Sequence, residues 1–128
     1  MFHVKIIDWG LAVKYEDQSG TARNYAQCGT IDYHAPEVFL GRYNEKRDVW
    51  SVGCIMYTIL GNQPPFSVQS VPKTIENIRI GKYNLNLPQF KLVSPEAIDL
   101  IRKMLTYRPN DRPTAQEALE HPWFEKIR

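Results

Sequence analysis

An acidic residue lies close to a glycine near the start of the chain, where Asp8, Trp9 and Gly10 follow the apolar residues 6 and 7. A carboxylate at the end of a strand can hold Mg²⁺ against a phosphate, because Mg²⁺ prefers oxygen ligands. The same spacing is also common in turns, since Asp bonds to the backbone two residues on and glycine accepts turn geometry. These three residues alone therefore leave Asp8 as either a metal ligand or a turn residue.

A second group of polar and small residues forms the run CGTIDYHAPEV at residues 28–38. From Gly29 to Glu37 the pattern G-T-x-x-Y-x-A-P-E resembles the end of the activation segment of eukaryotic Ser/Thr protein kinases. The D-W-G at residues 8–10 then resembles the D-F-G motif of that family. Further kinase-like runs follow in the family's order: DVWSVG at 48–53, GNQPPF at 61–66, RPNDRPTA at 108–115 and HPWF at 121–124.

The resemblance implies a role for several of the matching residues. Asp8 matches the Asp that coordinates Mg²⁺ bridging the ATP phosphates, and Trp9 replaces the usual Phe. Thr30 matches the threonine that contacts the catalytic Asp and helps to select hydroxyl substrates. The pocket for the residue after the phosphoacceptor is then lined by Gly29, Thr30, Ile31 and Tyr33. The catalytic Asp itself is expected upstream, so no residue of this chain is assigned to it.

Three more matching residues are interpreted as structural. Glu37 and Arg112 match a buried ion pair that ties the activation segment to the last helices of the lobe. Removing one partner of such a pair typically costs about 3–5 kcal/mol. Asp48 matches an acid that accepts backbone N–H bonds from the catalytic loop, and its alternative role is to cap its own helix.

Phosphorylation of the long loop is a further hypothesis. The position at which many kinases of this family carry an activating threonine holds Ala26. The remaining hydroxyl residues are Ser19, Thr21 and Tyr25, and a phosphate on one of them could order the loop through Arg23.

On this resemblance, the fold is mainly α: the partial C-terminal lobe of a protein kinase over residues 1–128, with an activation segment at 8–37 and a helical subdomain at 38–128. The Gly-rich loop, the strand lysine, its glutamate partner and H-R-D-x-x-x-x-N do not occur in the sequence. We therefore expect a parent protein that uses ATP and Mg²⁺ to phosphorylate Ser or Thr of a protein substrate, and an inactive chain by itself. The alternative is a stand-alone or pseudokinase half lobe that acts as a protein-binding module.

Residues 78–124 most resemble the calcium/calmodulin-dependent group of kinases, including the calcium-dependent kinases, and the polo-like kinases are next. The run Tyr107-Arg108-Pro109 departs from that group, which usually has an acid before this proline.

The elements that position these residues follow from the apolar spacing. Residues 2–7 are rich in β-branched and aromatic types and predict a short strand or hairpin, whereas residues 14–32 predict a long loop. Four or five helices are predicted: a turn opened by Pro36, then residues 48–60, 70–81 and 94–105, and a last helix capped by Thr114 and Glu117.

The helix predicted at 48–60 is apolar on nearly every face, which predicts burial on all sides. Asp48 suits its N-cap, and Gly61 suits the position just past its C-terminus. Ile75, Ile78 and Ile80 supply the buried stripe of the next helix. The partners of the 48–60 helix in a whole lobe lie outside this chain. We therefore expect the chain alone to form a homo-oligomer or a swapped dimer.

Composition limits the function classes. Sixteen Lys and Arg against fourteen Asp and Glu give a net charge of +2, which predicts no nucleic-acid and no membrane partner. Residues 1–12 lack a signal-peptide core, and the longest apolar run, 52–60, is shorter than the roughly 20 residues that span a bilayer. Cys28 and Cys54 fit neither a disulfide framework nor a metal site, and Cys54 is expected to be buried. We expect an intracellular protein, cytoplasmic or nuclear.

Overall fold

The computed structural model describes residues 3–12, 29–41 and 44–125. Within these ranges the protein is helical, as predicted, and contains no strand. The α-helices are α1 (Lys46–Gly61), α2 (Val71–Arg79), α3 (Pro95–Met104), α4 (Ala115–Leu119) and α5 (Pro122–Glu125). Short 3₁₀ helices span Trp9–Leu11, Ile31–Tyr33, Pro36–Leu40, Pro88–Leu92 and Pro109–Asp111. No helix in the described ranges is both long and apolar enough to cross a bilayer.

The predicted N-terminal strand does not form. Residues 3–8 have no regular secondary structure, and all of them are exposed. A strand is stable only when its N–H and C=O groups pair with a neighbouring strand, and no described segment lies beside this one as a strand. The strand prediction was therefore wrong for the described residues, although the sequence pattern itself is that of a strand.

Helix α1 is the centre of the fold and crosses α3 closely at Gly53. A Cβ atom at Gly53 would lie only 2.9 Å from the Cβ of Met104 and 3.0 Å from Leu105. The helix begins at Lys46, so Asp48 lies inside its first turn rather than at the N-cap. Asn62, with φ of 56°, ends the helix in the left-handed conformation predicted for Gly61. The predicted N-cap of the helix is thus three residues too late, and its predicted end is one residue too early.

One face of α1 is exposed, which contradicts the prediction of burial on all sides. The inward residues Trp50, Cys54 and Tyr57 are buried, whereas Ile59 is 76% exposed. Val52 and Ile55 are exposed on the same side of the helix. An all-round apolar sequence shows that a helix can be covered on every side, but the cover must come from other segments.

The core around α1 is aromatic. Trp50 stacks on Phe66 with ring centroids 5.2 Å apart, and Tyr57 packs on Phe90 at 4.8 Å. The hydroxyl of Tyr57 donates to the carbonyl of Asn84 at 2.6 Å, which satisfies the polar tip of a buried ring. The Trp50–Phe66 stack fixes the loop between α1 and α2 against α1, and the contacts of Tyr57 fix the loop between α2 and α3.

Helix α2 begins after Ser70 and ends before Gly81, as predicted. Ile78 is buried, but Ile80 is exposed and does not belong to the buried stripe. Two polar residues of α2, Thr74 and Asn77, are buried beside Ile78 instead. Asn77 donates to the carbonyl of Phe66 at 3.2 Å, and the Thr74 hydroxyl bonds to the backbone of residue 68.

The predicted caps of the later helices are present. Ser94 accepts a hydrogen bond from the backbone of Ala97 at the start of α3. Thr114 and Glu117 form the reciprocal capping box of α4, and the backbone N–H of Thr114 lowers the pKa of the Glu117 carboxyl. His121 is buried and bonds to Asp99 at 3.0 Å, which holds the start of α5 against α3.

The close crossing of α1 and α3 gives a test of the fold. Alanine normally stabilises a helix relative to glycine, but the added methyl group at residue 53 meets the Met104 side chain. Gly53→Ala should lower the free energy of unfolding by about 1–3 kcal/mol, measured by urea denaturation. Val71→Ala, at an exposed position of α2 away from this crossing, is the control and should change it by less than about 0.5 kcal/mol. Equal or greater stability of Gly53→Ala would contradict the packing described.

Candidate functional site

A groove of about 310 Å³ lies between the 29–35 segment and the start of α1. Its walls are formed by Leu11, Thr30, Tyr33, His34, Ala35, Val38, Arg47, Asp48 and Ser51. Backbone and side chains from three separate parts of the sequence therefore meet here.

The segment before the groove is a tight turn. Gly29 has φ of +86°, a conformation that side chains rarely adopt, and Thr30 follows in an extended conformation. The backbone N–H of Tyr33 donates to the carbonyl of Thr30 at 3.3 Å. The Ser51 hydroxyl donates to the carbonyl of Tyr33 at 2.8 Å and so anchors the turn to α1.

A buried ion pair holds the next residues in place. The Arg112 guanidinium donates to both carboxylate oxygens of Glu37, at 2.7 and 3.2 Å. Its remaining N–H groups donate to the carbonyls of Thr106, Lys46 and Tyr107. The guanidinium also lies 5.0 Å from the ring centroid of Trp50. Each polar atom of a fully buried charge is thus given a partner, which is the condition for burying it.

Asp48 lies on the wall of the groove with its side chain 79% exposed. The Nε of Arg47 approaches it at 3.6 Å. A carboxylate in the first turn of a helix is favoured by the positive end of the helix dipole. Asp48 therefore offers an accessible acceptor to groups that approach the groove.

Asp8 adopts a turn geometry at the start of the Trp9–Leu11 helix. Its φ is 62°, and its carboxylate accepts a long bond of 3.5 Å from the backbone of Gly10. This geometry matches the turn interpretation, while the carboxylate stays exposed and able to bind a cation. Among the residues that the structure describes, no three His, Cys, Asp or Glu side chains are grouped as a metal site. A single carboxylate still suits Mg²⁺, which often takes one or two carboxylates and completes its shell with phosphates and water.

Comparison with known proteins identifies the family. A family model of the protein kinase domain matches residues 1–124. Calcium-dependent protein kinase 4 of Plasmodium falciparum (isolate 3D7) is 42% identical over 124 residues, which are 97% of this chain and 23% of that protein. Calcium-dependent protein kinase 3 of Plasmodium yoelii yoelii is 42% identical over 123 residues, 96% of this chain and 22% of that protein.

The chain belongs to the protein kinase family. The serine/threonine-protein kinase cds1 of Schizosaccharomyces pombe (strain 972 / ATCC 24843) is also 42% identical, over 133 residues, 98% of this chain and 28% of that protein. The resemblance to Ser/Thr kinases drawn from the motifs is therefore confirmed. The chain spans about a quarter of the length of these relatives.

In this kinase chain the structure brings some of the predicted site residues together and leaves others apart. Thr30, Tyr33 and Asp48 line one groove, and Gly29 and Ile31 flank it in the same turn. Glu37 and Arg112 meet behind the groove. Asp8 is not part of the groove wall, although Leu11 of the same short helix is. The proposed phosphosites Ser19, Thr21 and Tyr25, and Cys28, lie outside the described residues.

Sequence reasoning missed six residues of the groove: the apolar Leu11, Ala35 and Val38, and the polar His34, Arg47 and Ser51. Ser51 could have been found, because it lies three residues after Asp48 on a helix and therefore on the same face. His34 gave no such signal, since its position depends on how the turn folds. Cys54 is buried as predicted, and burial raises the pKa of its thiol to about 12, which makes it unreactive.

The ion pair behind the groove predicts a large and specific loss of stability. Arg112→Met leaves the Glu37 carboxylate and three backbone carbonyls without their donor, so the free energy of unfolding should fall by about 3–5 kcal/mol. Arg108→Met, at an exposed arginine four residues earlier, is the matched control and should be nearly neutral. Urea denaturation measures both. Equal effects of the two substitutions would contradict the role of the pair.

Proposed function

We propose that this chain forms the substrate-binding part of a Ser/Thr protein kinase whose full-length protein transfers phosphate from ATP to protein Ser or Thr. One observation carries the proposal: Thr30, Tyr33 and Asp48 line a single groove behind which the Glu37–Arg112 pair is buried. The 42% identity to two calcium-dependent protein kinases and to one serine/threonine-protein kinase supports the same function.

The predicted site residues in and beside the groove each have a chemical task in this proposal. The Thr30 hydroxyl orients the phosphoacceptor and contacts the catalytic Asp, which this chain does not supply. Gly29, Ile31 and Tyr33 receive the residue that follows the phosphoacceptor. Asp48 accepts N–H bonds from the catalytic loop, since its carboxylate is exposed on the groove wall.

Asp8 would hold Mg²⁺ in the full-length kinase, and the ion would neutralise charge on the phosphoryl group of ATP. Leu11 lies three residues further along a 3₁₀ helix and lines the groove. Since ATP is an intracellular substrate, the proposal also locates the protein in the cytoplasm or nucleus.

The test begins with the full transcript that encodes this chain. The protein encoded with its upstream residues should phosphorylate Ser or Thr in a peptide library, and Asp8→Asn should lower kcat/KM at least about 100-fold. Asp111→Asn, an exposed acid outside the groove, is the control. The 128-residue chain alone should transfer no phosphate, because it contains no H-R-D-x-x-x-x-N motif.

Two results would overturn this assignment. A stop codon directly before Met1 would exclude catalysis and favour the alternative, a protein-binding half lobe. Asp8-dependent phosphate transfer by the 128-residue chain would show that the catalytic base lies within it.

We also propose that the chain alone self-associates through the exposed apolar side of α1. Val52, Ile55 and Ile59 are each about half exposed or more and lie on one side of the helix. Light scattering of the isolated chain should therefore give a mass above 14.9 kDa that rises with concentration. Ile59→Lys should shift the chain toward monomer, whereas Val71→Lys on exposed α2 should not. A wild-type monomer at high concentration would contradict the proposal.

A further inference from the structure

The imidazole of His34 contacts the groove turn and the 3₁₀ helix that follows it. Its Nδ1 lies 3.0 Å from the carbonyl oxygen of Thr30. On another side, its ring packs against Phe39 at a centroid distance of 6.0 Å. The ring therefore links Thr30 to the helix Pro36–Leu40.

The protonation state of Nδ1 follows from its partner. A carbonyl oxygen only accepts hydrogen bonds, so Nδ1 must carry the proton that it donates to Thr30. The neutral ring is then the Nδ1–H tautomer. The imidazolium form also carries a proton on Nδ1, so this contact is compatible with both charge states of the ring.

The hydrogen bond from His34 holds the backbone of Thr30, the groove residue that is proposed to orient the phosphoacceptor. Gly29 has φ of +86° and imposes little steric restriction on the peptide that precedes Thr30. The Thr30 carbonyl also accepts the Tyr33 N–H, but at a longer distance of 3.3 Å. Thr30 itself is exposed. The bond from His34 is thus the shorter of the two described hydrogen bonds to the Thr30 carbonyl.

We propose that His34 is a positioning residue: its Nδ1–H holds the Thr30 carbonyl and so aims the Thr30 side chain into the groove for the protein substrate. This inference rests on the proposed kinase function, because it assigns His34 a task only through Thr30. Phe39 keeps the imidazole in place, and Phe39 is itself covered by the Arg79 guanidinium of α2 at 5.7 Å.

The kinetic test uses three substitutions in the full-length protein. Asn carries an N–H₂ group on Cγ, where His carries Nδ1, whereas Gln places its amide one bond further out and Leu has no donor. His34→Asn should therefore keep a peptide KM close to that of the wild type. His34→Gln and His34→Leu should raise the peptide KM roughly five- to tenfold, which corresponds to one lost hydrogen bond, and leave the ATP KM unchanged.

A purely structural role would give a different pattern. The melting temperature of each variant is measured alongside the kinetics, and loss of activity that follows the melting temperature in all three variants would overturn the inference. Equal peptide KM values for the three variants, whether normal or raised, would overturn it as well. A rise in the ATP KM would show an effect outside the groove for the protein substrate and would also contradict the inference.

A second measurement separates this inference from the proposed function. In ¹⁵N and ¹³C spectra of the 128-residue chain, the His34 ring should show a proton on Nδ1, and the ¹³C shift of the Thr30 carbonyl should respond to His34→Leu but not to His34→Asn. An Nδ1 without a proton would exclude the contact itself. If the contact is present but the wild-type full-length protein transfers no phosphate, the kinase proposal fails, and the positioning role fails with it.

Discussion

A single buried guanidinium holds the described parts of this protein together. Arg112, near the C-terminal end of the chain, donates five hydrogen bonds to Glu37, Thr106, Lys46 and Tyr107. These residues belong to the segment before α1, the start of α1 and the loop after α3. Burying a charge is costly unless its hydrogen bonds are satisfied, so the arrangement of all three segments is determined by one side chain.

The groove depends on this arrangement although the ion pair is not part of it. Glu37 follows Ala35 and Pro36 directly, and Ala35 lines the groove with Thr30 and Tyr33. Arg112 also holds the carbonyl of Lys46, and the neighbouring residues Arg47 and Asp48 form the opposite wall. Both walls are thus fixed from behind by the same guanidinium. The hydrogen bond from the Ser51 hydroxyl to the Tyr33 carbonyl links the two walls directly, on the side that faces the groove.

Helix α1 has one face in the packed core and one face at the protein surface. Its inner face carries Trp50, Cys54 and Tyr57 in the aromatic core, and Gly53 allows the close approach of α3. Its outer face presents apolar side chains to solvent. A helix so apolar on its outer side is typical of one that is covered by further protein. The chain spans about a quarter of the length of its relatives, which agrees with that picture.

Much of this protein is determined by local sequence. The D-W-G and G-T-x-x-Y-x-A-P-E runs and the later motifs identify the kinase family, and the Ser94 cap, the Thr114–Glu117 capping box and the bounds of α2 follow from neighbouring residues. Such features depend on interactions within one turn of the chain. Tertiary structure decided the rest. Whether residues 3–7 form a strand depends on a pairing partner, and which face of α1 is buried depends on what packs against it. The contact of His34 with Thr30 spans only four residues, but it depends on how the Gly29 turn folds, because the path of the backbone rather than the residue type brings the ring to that carbonyl.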